Sequence, residues 1–412
     1  MVGELADVAP LGNRLGTAGG AAAVLAALRR SGFAHWFEAS AGPAFATDPW
    51  TSFEKAQGVA GEAGGALRGI AELFVRGEAV GHSEAERALS DAALEWLLLN
   101  GVLTSRDGAL RSTLCLLATP GQFLLADWPL RTACGRLISQ RTYLSTVSYD
   151  FAAAVAPLGR RPRGLDLGCG TGILANLLAG MCDETVAVDT DPRAIWLSRV
   201  NLAVNGRHAR LVHESWERMT AKEGLFDVIL ANPPWRIVPA GIRYPDPQIR
   251  VGSGPDGLDA VRAVLAMSAS HLAAAGRAII RFDMLRAPGR PDPLLLCRRS
   301  LSSRGIELEL ISLGRVDVCD QAQISAGACA HLNPGRDDLA ASFIDEYSAM
   351  GVRWLEPVLC IMTRGGTEAL SSRRAIARRA SCSSGIPRSA RWAEGGDRDG
   401  GGGTPSTPAG VL

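Results

Sequence analysis

The chain has 412 residues, a formal net charge of +1 and 47% hydrophobic residues. This length leaves room for two domains and tails at roughly 150 residues per domain, and the apolar content is sufficient for a sizeable core. A charge near zero excludes a global field that attracts nucleic acid or an anionic membrane. No uninterrupted apolar stretch of the sequence approaches the roughly 18–20 residues that span a bilayer.

The cysteines and histidines bear on the compartment and on metal binding. The nine cysteines form no Cys-x-x-Cys pair, and their number is odd. In a chain of this size, that pattern favours reduced thiols over a disulfide framework. The six histidines show no metal-binding spacing. Residues 1–14 lack a basic start followed by an apolar run, so no secretory signal is predicted. We therefore expect a cytoplasmic enzyme without a metal or a membrane anchor.

Residues 1–150 are predicted to form a mostly helical cap domain. Helices are expected at Ala21–Arg30, Gly65–Val75 and Ser83–Asn100. A turn at Arg106-Asp107-Gly108 then separates apolar strands, and a helix followed by a hairpin is typical of a winged-helix module. The helix that would enter a DNA groove carries four acidic side chains against one basic one, namely Glu84, Glu86, Asp91, Glu95 and Arg87. Because such a surface repels phosphates, we favour a cap beside the substrate over a DNA reader.

From Arg163 onward, strands alternate with helices, which predicts a mostly parallel sheet with helices on both faces. Strands are expected at Arg163–Leu167, Thr185–Asp189, Arg210–His213, Phe226–Ala231, Gly276–Asp283, Ile306–Leu313 and Pro357–Thr363. Helices are expected at Ile173–Met181, Asp191–Val204, Asp256–Ala274, Pro293–Ser303 and Asp338–Met350. We therefore predict a Rossmann-like α/β domain over residues 151–364, with an insertion at Asp317–Trp354 over or beside the carboxyl edge of the sheet. Residues 365–412 are rich in Gly, Ser and Arg and are predicted to form a disordered tail.

The segment Leu165–Gly172, with the sequence LDLGCGTG, is the first candidate for ligand binding. Its three glycines follow an apolar strand and open a helix, so a cofactor can lie against the backbone where a Cβ atom would clash. A dinucleotide-binding fingerprint needs its third glycine at position 173, and that residue is Ile173. The predicted cofactor contacts in this segment are Asp166, Gly168, Gly170 and Gly172.

Further cofactor contacts are predicted from the order of the strands. An acid at the end of the second strand, roughly 20 residues after the glycine turn, is expected to hydrogen-bond the ribose hydroxyls. Asp189 occupies that position at the end of the run TVAVD. Helix capping is assigned to Asp191 instead, because Pro192 follows it at the first helical position. Glu214 and Ser215, just past the third strand, are predicted by position to contact adenine.

The segment Asn232-Pro233-Pro234-Trp235 follows a buried strand with the sequence FDVILA. Its prolines fix φ and exclude a local helix, so the loop stays open at the carboxyl edge of the sheet. There the Asn232 side-chain oxygen and the Pro233 carbonyl can both accept hydrogen bonds from an NH2 group and orient its nitrogen. Trp235 can stack on a planar substrate and stabilise developing positive charge by about 0.5–2 kcal/mol. We therefore predict that Asn232, Pro233 and Trp235 are catalytic.

Together these segments resemble class I S-adenosylmethionine-dependent methyltransferases, and among them the release-factor glutamine N5-methyltransferases. The similarity covers roughly residues 164–282 and includes LDLGCGTG, VAVDTDPRA, FDVILANPPW and the segment Gly254–Ile280. It implies S-adenosylmethionine as the cofactor and a nitrogen acceptor that is held by Asn232 and Pro233. The cofactor contacts that the resemblance implies are Gly168, Gly170, Asp189 and Asn232.

The chain departs from this family at several points. The family's Pro-Arg-x-Glu-Thr segment is absent ahead of the glycine turn, where the chain has YLSTVSYD. Trp235 replaces the usual Tyr, and the insertion at Asp317–Trp354 is extra. The N-terminal 150 residues are about twice the expected recognition domain. These departures bear on the acceptor more than on the catalytic core.

Two classes of acceptor are consistent with the sequence. In the first reading, the acceptor is a protein glutamine amide or a small-molecule amine or amide between the cap and Trp235. In the second, it is a nucleobase of rRNA or DNA, which requires a basic groove beside Trp235. The groove candidates, which solvation or pairing with two acids also explains, are Arg236, Arg243 and Arg250, with Asp246 and Asp256 as the acids. Nucleic acid is therefore the less favoured partner, and a non-catalytic binding protein is disfavoured by the intact motifs.

Overall fold

The computed structural model describes residues 18–41, 49–119, 121–131, 137–138, 151–152, 154–155, 158–218, 223–244, 254, 256–289 and 293–365. Apart from Gly365, the predicted tail lies outside the described residues, as do Asp246 and Arg250.

The N-terminal part is mostly helical, as predicted. Its helices are α1 (Ala18–Arg30), α2 (Phe33–Ala41), α3 (Pro49–Val59), α4 (Gly65–Ala71), α5 (His82–Ala88) and α6 (Asp91–Leu99). Its strands are β1 (Val80–Gly81), β2 (Leu103–Arg106), β3 (Ala109–Ser112), β4 (Leu114–Thr119), β5 (Gln122–Asp127), β6 (Leu130–Arg131) and β7 (Leu137–Ile138). The order from α4 to β3, with β3 between β1 and β2, is that of a winged-helix module. Asp107 and Gly108, with φ of 53° and 75°, form the predicted turn between β2 and β3.

The prediction of one helix over Ser83–Asn100 is wrong, because α5 and α6 are separate. The break falls at Ser90, whose φ of 79° is incompatible with an α-helix. It shifts the apolar face of α6 by one residue, so that Leu97 is buried while Leu99 is 56% exposed. Periodicity read across a single helix does not reveal such a change of phase.

The central sheet has the predicted Rossmann-like α/β architecture. Its strands are β8 (Arg161–Leu167), β9 (Cys182–Asp189), β10 (Arg210–His213), β11 (Phe226–Ala231), β12 (Leu272–Arg286), β13 (Ile306–Ser312), β14 (Val316–Asp317) and β15 (Trp354–Arg364). The order is β10-β9-β8-β11-β12-β15-β13, and β14 pairs with β15. Strands β8 to β12 run parallel, while β15 runs antiparallel between β12 and β13. The helices of this part are α7 (Ile173–Ala179), α8 (Pro192–Val204), α9 (Asp259–His271), α10 (Leu295–Ser302), α11 (Val318–Cys329) and α12 (Leu339–Ala349).

Alternate side chains of the central strands fill cores on opposite faces of the sheet. Val228 and Leu230 of β11 belong to the core beneath α7 and α8, which continues into the N-terminal part. Ile229 and Ala231 belong to the core on the other face, together with side chains of α9 and the insertion. Burial on both faces explains why β11 reads as a continuous apolar run.

The insertion at Asp317–Trp354 contains the predicted helix, α12, and a second helix, α11, that was missed. Helix α11 buries Gln321 and Ser325, which hydrogen-bond to each other at 3.1 Å. A buried face with polar members carries no apolar periodicity, which explains the miss. Both helices contribute to the core that contains Trp235, so the insertion packs beside the sheet. No helix in the described ranges is long and apolar enough to cross a membrane.

Candidate active site

Three strands bring the predicted site residues to one edge of the sheet. The register pairs Ala231 of β11 with Leu167 of β8, and Leu167 with Val188 of β9. The glycine turn, Asp189 and Asn232 therefore all start at about the same level. This is the carboxyl edge, where open α/β sheets bind their ligands.

The glycine turn has a backbone that glycine adopts with little strain. Gly168, Gly170 and Gly172 have φ of 80°, 51° and 77°, all in the left-handed region. The amides of Gly168 and Cys169 both donate to the Val188 carbonyl, at 2.9 and 3.0 Å. The chain therefore turns sharply off β8 and enters α7.

The three glycines border different surroundings. Among the described residues, a Cβ atom at Gly170 would meet no atom within 4 Å beyond its chain neighbours, whereas one at Gly172 would lie 2.7 Å from the Cα atom of Ser198 on α8. A Cβ atom at Gly168 would lie 3.6 Å from the ring of Trp216. Gly170 thus faces space that suits a ligand, while Gly172 allows the turn to approach α8.

Asp189 joins the turn to the end of β9. Its two carboxylate oxygens accept hydrogen bonds from the amides of Gly170 and Asp191, each at 2.9 Å. Burial raises the pKa of Asp189, and these amides oppose the rise. Asp191 caps α8, as predicted, by accepting from the Arg193 amide at 2.8 Å. A carboxylate has about four acceptor sites, so Asp189 keeps capacity for ligand hydroxyls.

Asp166 lies on β8 directly before the turn and is fully buried. Neither carboxyl oxygen makes a well-formed hydrogen bond within the described part of the chain. Burial raises the pKa of Asp166 to about 8, with a further contribution from the Asp189 carboxylate and an opposing one from the Ala175 amide. A buried carboxyl that lacks compensation destabilises the fold, and perturbed groups of this kind concentrate at functional sites.

Glu214 and Ser215 stand at the rim of the same edge. The Glu214 amide donates to the Asp189 carbonyl at 3.1 Å. The Glu214 carboxylate accepts from the Ser215 amide at 3.0 Å and lies 3.6 Å from Arg218. The structure therefore brings both residues to the Asp189 side of the glycine turn. Their contact with adenine stays a prediction.

The loop of Asn232 to Trp235 leaves β11 beside the glycine turn. Asn232 is half-buried and Pro233 is buried. Within the described ranges, no hydrogen bond engages the Asn232 side chain, so its amide is available to a ligand. Trp235 is 8% exposed and belongs to the apolar core with Ile237 and Phe282. Trp235 is therefore an anchor of the loop, and its ring offers little surface for stacking on a substrate.

Arg236 reinforces this anchoring. Its guanidinium carbon lies 5.2 Å from the centre of the Trp235 ring and 5.6 Å from that of Tyr244, and it donates to the Tyr244 hydroxyl. Arg236 is buried, whereas Arg243 is exposed. Asp256 pairs with Arg262. The described residues of the suggested basic groove are thus split between the core and the surface.

The turn and its acids fit S-adenosylmethionine by their chemistry. Asp189 offers acceptors for ribose hydroxyls, and its carboxylate suits a ligand that carries positive charge. Gly170 leaves room for the ligand against the backbone. Among the described residues, no group of three or more His, Cys, Asp or Glu side chains is placed to hold a metal ion.

Comparison with known proteins agrees with this geometry. Residues 151–240 match the family model of the methyltransferase small domain. The chain is 34% identical over 136 residues to the release factor glutamine methyltransferase of Deinococcus radiodurans, covering 31% of this chain and 48% of that protein. It is 30% identical over 169 residues to the enzyme of the same name from Gloeobacter violaceus, covering 38% and 56%. It is also 31% identical over 115 residues to the ribosomal protein uL3 glutamine methyltransferase of Neisseria gonorrhoeae, covering 26% and 38%.

The sheet order and the glycine turn are those of the class I methyltransferase fold, and residues 151–240 match the methyltransferase small domain model. The relatives named above are glutamine methyltransferases, and a fold of this class implies S-adenosylmethionine as the methyl donor. The chain spans about half the length of the release factor glutamine methyltransferases that it matches.

Two residues at the site escaped the sequence analysis. Trp216 packs beside Gly168, and its buried Nε1 has no hydrogen-bond partner within the described residues. Its place directly after Ser215 was the available signal. Ser198 on α8 donates to the Gly170 carbonyl at 3.2 Å, and a single Ser inside a helical pattern gives no signal of this kind.

Proposed function

We propose that this chain transfers a methyl group from S-adenosylmethionine to the side-chain amide nitrogen of a protein glutamine. The observation that carries the proposal is the half-buried Asn232 amide, which has no hydrogen bond from the described residues and stands beside the glycine turn. The curated relatives, named for glutamine methylation of a release factor and of a ribosomal protein, support the choice of acceptor. A small-molecule amine or amide is the alternative within the same chemistry.

In this mechanism, the chain orients the acceptor. The bound cofactor supplies an activated methyl group on a sulfonium. The Asn232 side-chain oxygen and the Pro233 carbonyl accept hydrogen bonds from the acceptor NH2 group, which localises the nitrogen lone pair and directs it to the methyl carbon. The C–N bond forms as the C–S bond breaks, and the nitrogen then loses a proton to solvent. Such positioning contributes up to about 7–11 kcal/mol in favourable cases.

The rigidity of the loop supports this role. Trp235 and Arg236 are both buried behind Asn232, so the loop is fixed by packing on its core side. The Asn232 amide, which orients the acceptor, keeps its geometry better on a packed loop than it would on a mobile one. We therefore assign Trp235 to positioning of Asn232 and Pro233 in place of direct stacking.

The nucleobase alternative has less support. It needs cationic side chains exposed beside the acceptor, and Arg236 is turned into the core against Trp235 and Tyr244. Helix α6, the element that would read DNA in a winged-helix module, exposes Asp91 and Glu95. Both features disfavour a phosphate backbone as partner. We also propose a cytoplasmic location, which the odd number of cysteines and the lack of a Cys-x-x-Cys pair in the sequence support.

Transfer of label from methyl-labelled S-adenosylmethionine tests the proposal. The purified protein is incubated with protein, RNA and small-metabolite fractions of a host extract. We expect label in the protein fraction. This label should be lost with Asn232→Ala and kept with the control variant Arg106→Ala, whose side chain is 92% exposed at the end of β2. Label in the metabolite fraction alone would select the small-molecule alternative. Label in RNA would overturn the proposal.

A further inference from the structure

Asn201 of α8 and Asn205, the residue that follows the last turn of α8, hold the edge of the N-terminal hairpin formed by β4 and β5. The Asn201 side chain accepts from the Leu125 amide and donates to the Leu125 carbonyl, both at 2.8 Å. One turn later, Asn205 makes the same two bonds with Phe123, at 2.8 and 2.7 Å. In the described residues this edge of β5 pairs with no strand. The two side chains therefore satisfy backbone groups that a neighbouring strand would otherwise satisfy.

Asn201 makes one contact that Asn205 does not. Its Nδ2 atom also donates to the Thr171 carbonyl at 2.8 Å, inside the glycine turn. The additional bond of Asn205 goes to the Asn201 carbonyl of its own helix. Asn201 is fully buried, so a lost bond there leaves polar groups without water to replace it.

The Asn201 contact fixes a part of the turn that bears on ligand binding. Ser198 holds the Gly170 carbonyl from the same helix, at 3.2 Å. Because a peptide unit is planar, holding the Gly170 and Thr171 carbonyls also fixes the orientation of the amides that follow them. Helix α8 thus sets the turn on one side and carries the hairpin on the other.

We propose that Asn201 is a positioning residue that couples the N-terminal hairpin to the glycine turn, so that cofactor binding and hairpin docking stabilise each other. The inference rests on the proposed binding of S-adenosylmethionine at this turn. Coupling between two sites is reciprocal: if the docked hairpin supports the turn, then a ligand that holds the turn also holds the hairpin. The N-terminal part is then a component of the cofactor site as well as a cap for the acceptor.

Hydrogen exchange of the full-length protein tests the coupling without any variant. Exchange at the Leu125 amide is compared with and without saturating S-adenosylhomocysteine. We expect the ligand to slow this exchange by roughly 10-fold, because opening of the hairpin must then work against the ligand-held turn. Unchanged exchange with bound ligand overturns the inference alone. Failure of S-adenosylhomocysteine to bind the wild-type protein overturns the proposed function as well.

A matched pair of variants isolates the Asn201 contact. Asn201→Asp preserves size but turns an acceptor oxygen towards the carbonyls of Leu125 and Thr171. We expect S-adenosylhomocysteine to bind roughly 10- to 100-fold more weakly, and the KM for the methyl donor to rise while kcat at saturation is retained. Asn205→Asp applies the same change to the hairpin without touching the turn. Because Asn201 still holds the hairpin at Leu125 in this variant, the hairpin is expected to stay docked and the ligand affinity to stay within about 3-fold of wild type.

Two results of this comparison would overturn the proposal. One is an equal loss of affinity in both variants, since the Thr171 contact would then be irrelevant. The other is wild-type affinity in a folded Asn201→Asp protein, with folding checked by circular dichroism. If Asn201→Asp does not fold, Asn201→Ser takes its place with the same expected order of affinities, and the exchange measurement on the wild type stands independently.

Discussion

Alanine is expected to impair mainly ligand binding at Gly170 and mainly folding stability at Gly172. Both glycines have left-handed φ, and alanine there costs about 1–2 kcal/mol of folding free energy. At Gly172 the new Cβ atom would also lie 2.7 Å from the Ser198 Cα atom, a backbone contact that adds about 1–3 kcal/mol of overpacking. Gly172→Ala is therefore expected to lose about 2–5 kcal/mol, against about 1–2 kcal/mol for Gly170→Ala.

The variant that loses less stability, Gly170→Ala, should be the one whose ligand binding is weakened directly. The Cβ atom of Gly170→Ala would project into space where the described residues place no atom within 4 Å, which is where we place the ligand. Urea unfolding measures the stability of each variant, and calorimetry measures the affinity of the folded protein for S-adenosylhomocysteine. We expect Gly170→Ala to bind at least about 10-fold more weakly while it loses only about 1–2 kcal/mol of stability, less than Gly172→Ala loses. Equal loss of stability in both variants, or wild-type affinity in Gly170→Ala, would refute this reasoning.

Three further predictions concern charged groups. The pKa of Asp166 is about 8 in the folded protein, so the native state holds a proton that the unfolded state releases above about pH 4. The stabilisation of the folded state by this proton is complete below the unfolded pKa and is lost as pH rises through 8. The free energy of unfolding should therefore fall between pH 4 and 8. The Asp166→Asn variant should show a flatter dependence on pH. Asp189→Ala removes the acceptor of the Gly170 amide and should weaken S-adenosylhomocysteine binding by roughly 10- to 100-fold in titration calorimetry, whereas an unchanged affinity would count against its assignment to ribose. Arg193→Leu removes the guanidinium that pairs with buried Asp127 and should lower the urea unfolding free energy by about 3 kcal/mol, while Arg193→Lys, which keeps the charge, should lose less; equal losses would exclude the ion pair as the cause.

The catalytic sheet follows closely from the sequence. Strands β10 and β11 have the bounds that the sequence predicts, because each is short and is followed directly by a polar residue, Glu214 or Asn232. Asp191 caps α8 where the Asp-Pro pair indicates a helix start. Local chemistry and tertiary structure agree at these positions, so the pattern alone is informative.

Other features depend on tertiary contacts that a pattern does not encode. The break at Ser90 divides a continuous helical pattern, and the polar face of α11 is buried against the core. The sequence suggests that Trp235 stacks on the substrate, yet the fold places it in the core with Arg236 against its ring. Asn201 gives no local signal of its role, because its partners Leu125 and Thr171 are distant in sequence from it.

The chemical form of the methylated product tests the central claim most directly. Protein that has been labelled in the presence of methyl-labelled S-adenosylmethionine is hydrolysed in acid, the hydrolysate is made alkaline, and the volatile amines that it releases are analysed. Because acid hydrolysis of an N-methylated glutamine amide releases methylamine, we predict labelled methylamine from the wild-type reaction and none from Asn232→Ala. Label that stays on carbon, oxygen or a nucleobase, or labelled methylamine at wild-type yield from Asn232→Ala, would contradict the account.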